Sequence, residues 1–284
     1  MCVTGNDAGG AEEPIRLRIG TWNVREGVPV DPDADVRGQV VELVRDHRID
    51  VLALQEVPYR DDSSSDLLDT LTRRTRLVFT GVQPLSPRAL PGAGRSGVAL
   101  ASRFPLHDVT GTVLPNPGLA ADGLVCFDKG LVSAAARVGG HRVTLTSAHL
   151  FPFHIFRRRA EEDEFRHVWE RFAKEIGSRP ERPIVAGDFN TPHRELVTGL
   201  LDTELASAFH LDGRGEDILV GAGFRTLSCE IVPNFSDHPL WVVELALLRG
   251  GPPDGGMECR GRGTGYATRT EVRDKRSHRW PPSR

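Results

Sequence analysis

From residue 15 onward, short apolar runs alternate with polar punctuation, and their periods predict strands and helices in turn. Ile15, Leu17 and Ile19 alternate with Arg16 and Arg18, the period of a half-buried strand, and that strand runs on toward Trp22 and Asn23. Val36, Val40, Val41, Leu43 and Val44 recur at helical spacing, with Asp33 or Asp35 placed to cap the helix. Val51 to Leu54 is apolar without alternation, as a strand covered on both faces should be, and it delivers Gln55 and Glu56 at its end. Further apolar runs at residues 97–101, 131–138, 143–148, 184–186, 218–220 and 240–247 are bounded by Gly, Pro, Asn and Asp, and most read as strands. Phe165, Val168, Phe172 and Ile176 mark one long amphipathic helix with a heavily charged opposite face. The succession is that of an α/β domain.

The two ends read differently. Residues 1–14 are rich in Gly, Ala and acid and carry no hydrophobic period, so a flexible leader is expected there. Gly, Pro and Arg dominate residues 249–284, where a disordered tail is expected, which leaves residues 15–248 as the folded domain. The start lacks the basic and apolar regions of a signal peptide, and no apolar run approaches membrane-spanning length. The expectation is a monomeric, cytoplasmic protein with no stable membrane insertion. Cys2, Cys126, Cys229 and Cys259 are scattered without pairing, which points to neither a zinc site nor a disulfide framework. A formal net charge of -3 over 284 residues supplies no global basic field, so any recognition of a polyanion has to be local.

Chemistry enters at the strand ends. Asn23 closes GTWNV, Glu56 ALQEV and His149 SAHL, while Asp188 and Asn190 lie in AGDFN and Asp237 and His238 in FSDHPL. In an α/β fold the strand tips share a rim, so these side chains can converge on one cleft although they are distant in sequence. Carboxylate and amide oxygens are the hard ligands that Mg²⁺ or Mn²⁺ prefers, and the imidazoles can move protons. That set meets the needs of phosphoester hydrolysis: neutralised phosphoryl oxygens, an activated water and a stabilised leaving oxygen. It contains no obvious covalent nucleophile.

In order along the chain, TWNV, LQEV, SGVALASRFPL, KGLVSAAARV, SAHL, VAGDFNTP and SDHPL resemble the motifs of the endonuclease/exonuclease/phosphatase superfamily, from about Ile15 to Leu247. The resemblance implies a four-layer sandwich, two mixed β-sheets packed face to face with helices outside, and a metal-dependent phosphoesterase acting on nucleic acid or a small phosphodiester. It implies Glu56 as principal metal ligand, with Asn23 and Asp237 near the metal. Asp188 matches the carboxylate that orients the attacking water, Asn190 an amide on a phosphoryl oxygen, and His149 and His238 the acid–base or phosphate-binding imidazoles. A catalytically inactive binding protein on the same fold is the alternative, although none of these groups has been lost.

Two positions depart from the commoner pattern. Many members carry an aspartate that orients the final histidine; here Glu216 takes that place, unless a one-residue slip lets Asp217 serve. Arg25 stands where abasic-site nucleases commonly carry an acid, and a cation there would oppose a second metal while being able to pair with a substrate phosphate. Arg157, beside Arg158 and Arg159 near the expected start of the long helix, is a second phosphate-binding candidate. His154, after Phe151 and Phe153, sits where a loop could overhang the cleft; the other histidines read as surface residues. Since the tail has no periodic apolar residues to bury, deleting residues 250–284 should leave the melting temperature nearly unchanged; a loss of several degrees would show that the segment packs.

Overall fold

The computed structural model describes residues 14–89, 94–179, 181–201, 204–209 and 215–248. The expected leader, apart from residue 14, and the expected tail lie outside the described residues. The first half runs β1 (Ile15–Asn23), α1 (Val36–Asp46), β2 (Val51–Tyr59), α2 (Asp66–Arg74), β3 (Phe79–Pro87), β4 (Arg95–Ser102) and β5 (His107–Val113). A small hairpin of β6 (Ala120–Ala121) and β7 (Leu124–Val125) leads into β8 (Gly130–Val138) and β9 (His141–His149), and α3 (Arg166–Gly177) follows. The chain finishes with β10 (Pro183–Asp188), α4 (Glu195–Thr198), β11 (Leu205–Ser207), β12 (Glu216–Gly221), β13 (Phe224–Val232) and β14 (Leu240–Leu247).

Two mixed six-stranded sheets result, in the orders β13-β14-β1-β2-β4-β3 and β11-β12-β10-β9-β8-β5. Their inner faces meet over a core that includes Leu17, Ile19, Val51, Ala53, Val143, Leu145, Ile184, Ala186, Ile218 and Trp241. The helices cover the outer faces. Val40 and Val44 of α1 and Leu67, Leu68 and Leu71 of α2 pack with Trp22, Leu52 and Leu54, while Val168, Trp169 and Phe172 of α3 pack with Phe151, Phe153 and Val185. Asp35 caps α1, its carboxylate accepting from the Gly38 backbone N–H at 2.9 Å. The four-layer sandwich expected from the motifs is therefore the architecture observed. None of the described helices is long and apolar enough to cross a membrane.

Strand parity explains where the site lies. On β1 the side chains at 17 and 19 enter the inner core, so those at 21 and 23 point the same way. The same alternation carries Gln55 behind Val51 and Ala53, Ser147 and His149 behind Val143 and Leu145, and Asp188 behind Ile184 and Ala186. In β12, which runs antiparallel to β10, Glu216 precedes Ile218 and lies opposite Asp188. At one end of the sandwich the facing layers thus change from apolar to polar. The first polar layer joins the sheets: Gln55, fully buried, donates through Nε2 to Thr21 Oγ1 and to Ser147 Oγ at 3.2 Å each, and Ser147 Oγ donates to the Leu54 carbonyl at 3.0 Å.

A buried amide bridging two sheets is costly to break, because its former partners keep their desolvation without their bond. Gln55→Leu should lower unfolding free energy by about 1–3 kcal/mol, seen as an earlier urea midpoint at unchanged slope. An unchanged midpoint would mean that the bridge adds nothing to stability.

Candidate active site

Directly above the Gln55 layer, polar groups from both sheets meet. Asn23 Nδ2 donates to Asp188 Oδ2 at 3.2 Å, and the Asn190 backbone N–H donates to Asp188 Oδ1 at 3.0 Å. The parallel pairing of β9 with β10 sets His149 beside Asp188, Nε2 to Oδ2 at 3.7 Å. His238, on the loop before β14, offers Nδ1 to Glu216 Oε1 at 2.5 Å and lies 4.0 Å from Asp188 Oδ2. Glu56 Oε1 stands 3.9 Å from His149 Nε2. Asp237 is more than half exposed, with Arg25 Nε 3.5 Å away.

The backbone bends to present two of these side chains. Glu56 (φ 52) interrupts the β2–β4 pairing between Leu54 and Val57, and this bulge turns its carboxylate toward the cleft instead of into the pleat. Asn190 is also left-handed, at φ 54, and its Nδ2 donates to the Leu150 carbonyl at 2.9 Å. Non-glycine residues held there store strain that surrounding structure must support, and such positions concentrate at functional sites. Gly187 is required for a different reason: a Cβ would stand 2.1 Å from the carbonyl oxygen of Ala148, its partner on β9.

The environment drives the two imidazoles apart. Burial, with the positive charges of Lys129 and His238, holds His149 well below the ordinary imidazole range. Burial would also lower His238, but the hydrogen bond to Glu216 and the charges of Asp188, Glu216 and Asp237 outweigh it and raise His238 to about 9. Burial raises the Asp188 carboxyl, opposed by His238. A neutral and a charged imidazole side by side are suited to different proton-transfer tasks.

The choice between Glu216 and Asp217 follows from parity. Ile218 faces inward, so Glu216 does too and reaches His238, while Asp217 faces outward. Asp217 Oδ2 accepts from Arg194 Nε at 2.9 Å and Oδ1 from Ser207 Oγ at 3.0 Å. Arg157 is not brought to the cleft. It lies in a loop ahead of the helix, which begins only at Arg166, and pairs with Asp122 at 2.7 Å on the exposed surface. Its neighbours Arg158 and Arg159 instead line a cleft of about 490 Å³ with Asp188, Asn190, Glu216, His238, His154 and His193. Phe151 and Phe153 are buried in the core under α3, so the aromatic loop packs on the domain, while His154 and Ile155 are exposed.

Lys129 was not among the residues the sequence pattern singled out. It immediately precedes β8, whose Gly130 pairs with His149. Its Nζ comes within 3.1 and 3.3 Å of the His149 ring nitrogens and 3.9 Å of Glu56 Oε1. The KGLVSAAARV stretch carries this lysine, but a lysine before an apolar strand has no distinctive spacing.

Ligand-type atoms of Asp188, Glu216 and His238 lie within 4.8 Å of one another, so an acidic group able to bind a metal is present. The family profile for Endonuclease/Exonuclease/phosphatase matches residues 20–268. The chain belongs to this family. A search of curated proteins finds no match. Among solved structures, an endonuclease/exonuclease/phosphatase from Beutenbergia cavernae DSM 12333 is similar at TM-score 0.62 and 19% identity, over 82% of this chain and 72% of that one. The human Nocturnin catalytic domain with bound sulfate is similar at TM-score 0.58 and 17% identity, over 83% and 96%. ANGEL2, a 2',3'-cyclic phosphatase, is similar at 0.56 and 10%, over 82% and 96%. These likenesses establish the DNase I-like fold that endonuclease/exonuclease/phosphatase members share.

The pair Glu216–His238 yields a titration. Its charged contact is fully present below the ordinary imidazole pKa and is lost as pH rises through about 9. Imidazole NMR should therefore follow His238 titrating near that pH in the wild type, and Glu216→Gln should move the midpoint down. An unmoved midpoint in that variant would remove Glu216 as the cause.

Proposed function

We propose that this endonuclease/exonuclease/phosphatase member hydrolyses a phosphodiester or phosphomonoester by attack of an activated water, using Mg²⁺ or Mn²⁺. The observation that carries this reading is the inter-sheet constellation of Asn23, Glu56, His149, Asp188, Asn190, Glu216, Asp237 and His238, in which Asp188 is held by Asn23 and the Asn190 N–H and His238 by Glu216. Of the groups able to bind metal, Asp188, Glu216 and His238 are already engaged: His238 Nδ1 with Glu216, and both Asp188 oxygens with Asn23 and the Asn190 N–H. Glu56, Asp237 and the Asn23 side-chain oxygen are read as the hard-oxygen set for a divalent cation; Asp237 also meets Ser236 Oγ at 3.3 Å and Arg25 at 3.5 Å, and the Asn23 oxygen accepts from the Arg25 N–H at 3.0 Å. Bound there, the cation would neutralise charge on the phosphoryl oxygens.

The protein's own groups divide the remaining work. Asp188, buried with its carboxyl raised, orients the attacking water and is placed to take its proton. His238, held charged by Glu216, stabilises negative charge developing on the phosphoryl or leaving oxygen. His149, kept neutral, remains available as a donor or acceptor at the same centre. Asn190 holds the turn after β10 and fixes Asp188 through its backbone N–H. Arg25 moderates the charge of Asp237 and is the nearest cation to it for a phosphate to meet. Nucleic acid and small phosphodiesters both fit this chemistry.

Activity toward bis-nitrophenyl phosphate should vanish in EDTA and return with Mg²⁺ or Mn²⁺; full activity in EDTA would end this reading. Glu56→Gln should raise the metal concentration needed, whereas Asp188→Asn should chiefly lower kcat. Glu216→Gln should reduce kcat by roughly 10- to 1,000-fold with little change in stability. Asp217→Asn should show the reverse, a lower melting temperature with kcat largely kept, because it loosens the buried Arg194 pair.

A further inference from the structure

Lys129 occupies a place that the roles above leave unused. Its side chain is only 13% exposed, and its ammonium lies between the carboxylate of Glu56 and the ring of His149, the ring that itself stands 3.7 Å from Asp188. Burying a flexible, strongly hydrated cation is expensive unless it has a task or a partner. The neutral His149 ring can accept from it at 3.1 Å and Glu56 stands 3.9 Å away, but the ring is no anion and the carboxylate is too far for a direct hydrogen bond, so its charge is only partly met.

The surrounding donors bear on how many metal ions the cleft can take. A two-metal centre keeps its ions about 3.5–4 Å apart, clamping the attacking and leaving oxygens between them, which calls for open carboxylates on both sides. Here the space between Glu56 and Asp188 holds His149, 3.9 Å from one and 3.7 Å from the other, with Lys129 against the ring. The Asp188 oxygens and the Glu216–His238 pair are already bonded, and Arg25 stands at Asp237. Two fixed cations flank the open carboxylates.

We infer that Lys129 supplies the positive charge that a second divalent ion would otherwise bring, so that the centre takes one divalent cation and the Lys129 ammonium contacts the phosphoryl oxygens directly. This rests on the proposed metal-dependent phosphoesterase reading. The ammonium, fixed just before the start of β8, serves the transition state without having to be bound from solution. It also opposes the metal, since two cations a few ångströms apart repel appreciably even in a partly hydrated cleft. Removing the charge therefore has two effects of opposite sign: the metal is held more tightly and turnover falls.

The test is Mn²⁺ binding to the full chain by calorimetry and electron paramagnetic resonance, beside kcat on bis-nitrophenyl phosphate at saturating Mn²⁺. The wild type should bind one Mn²⁺ with an uncoupled spectrum, weakened in Glu56→Gln. Lys129→Met should bind Mn²⁺ about 10-fold more tightly at low ionic strength while kcat falls roughly 100- to 1,000-fold. Lys129→Arg keeps the charge and should stay within about 2-fold of wild-type affinity. Lys129→Gln gives a second neutral variant if the methionine variant misfolds. Two spin-coupled Mn²⁺ ions in the wild type, or equal or weaker binding in the neutral variants, would overturn the assignment of Lys129 and leave the phosphoesterase reading standing. Unchanged Mn²⁺ binding in Glu56→Gln would instead sink the metal site on which both depend.

Discussion

Everything in this molecule depends on what the two sheets do where their inner faces meet. Side chains alternate across a strand, so each strand sends every second residue between the sheets. Along most of the sandwich those residues are apolar and seal it. At one end they become Thr21, Gln55 and Ser147, then Asn23, His149, Asp188 and Glu216. The apolar part fixes the separation and register of the sheets, and the polar part uses that separation to set side chains from distant strands within a few ångströms of one another.

Much of this was legible in the chain. The apolar runs located most of the strands, the helix starting at Val36 appears with Asp35 as its cap, and polar groups from distant strand ends come within about 4 Å of one another, as Asn23, His149 and His238 do with Asp188. Other parts were hidden for physical reasons. β3, β5 and β13 are edge strands with few fully buried residues, and so carry no strong apolar period. The Arg157–Arg159 run looked like a helix start because sequence does not show the turns at Phe153–Phe156 and Asp163–Phe165 that delay the helix. Lys129 acquires meaning only from the antiparallel pairing that puts Gly130 opposite His149, a long-range fact with no local signature.

Glu216 and Asp217 show how strand parity can settle a question that spacing leaves open. Both are acids at the start of β12, one residue apart, and either could have met the histidine. One packs against Arg194 and Ser207 on the far side of the sheet; the other points inward to His238. Because a shift of one residue exchanges faces, the apolar partners Ile218 and Val220 decide the matter by demanding the core. Structural and candidate catalytic carboxylates are thus neighbours in sequence and separated by the thickness of a β-sheet.

The Glu216–His238 hydrogen bond also spans the sandwich: Glu216 belongs to β12 of one sheet, and His238 to the loop that enters β14 of the other. Apolar contacts weaken gradually when two layers ease apart, whereas a short directional bond fails over a fraction of an ångström. This bond therefore works as a gauge of the spacing between the layers. Heat, mild denaturant or a distant mutation that lets the sheets slide without separating them would break this contact while the backbone still looked folded, so a local probe of His238 should register the change ahead of any probe of overall structure.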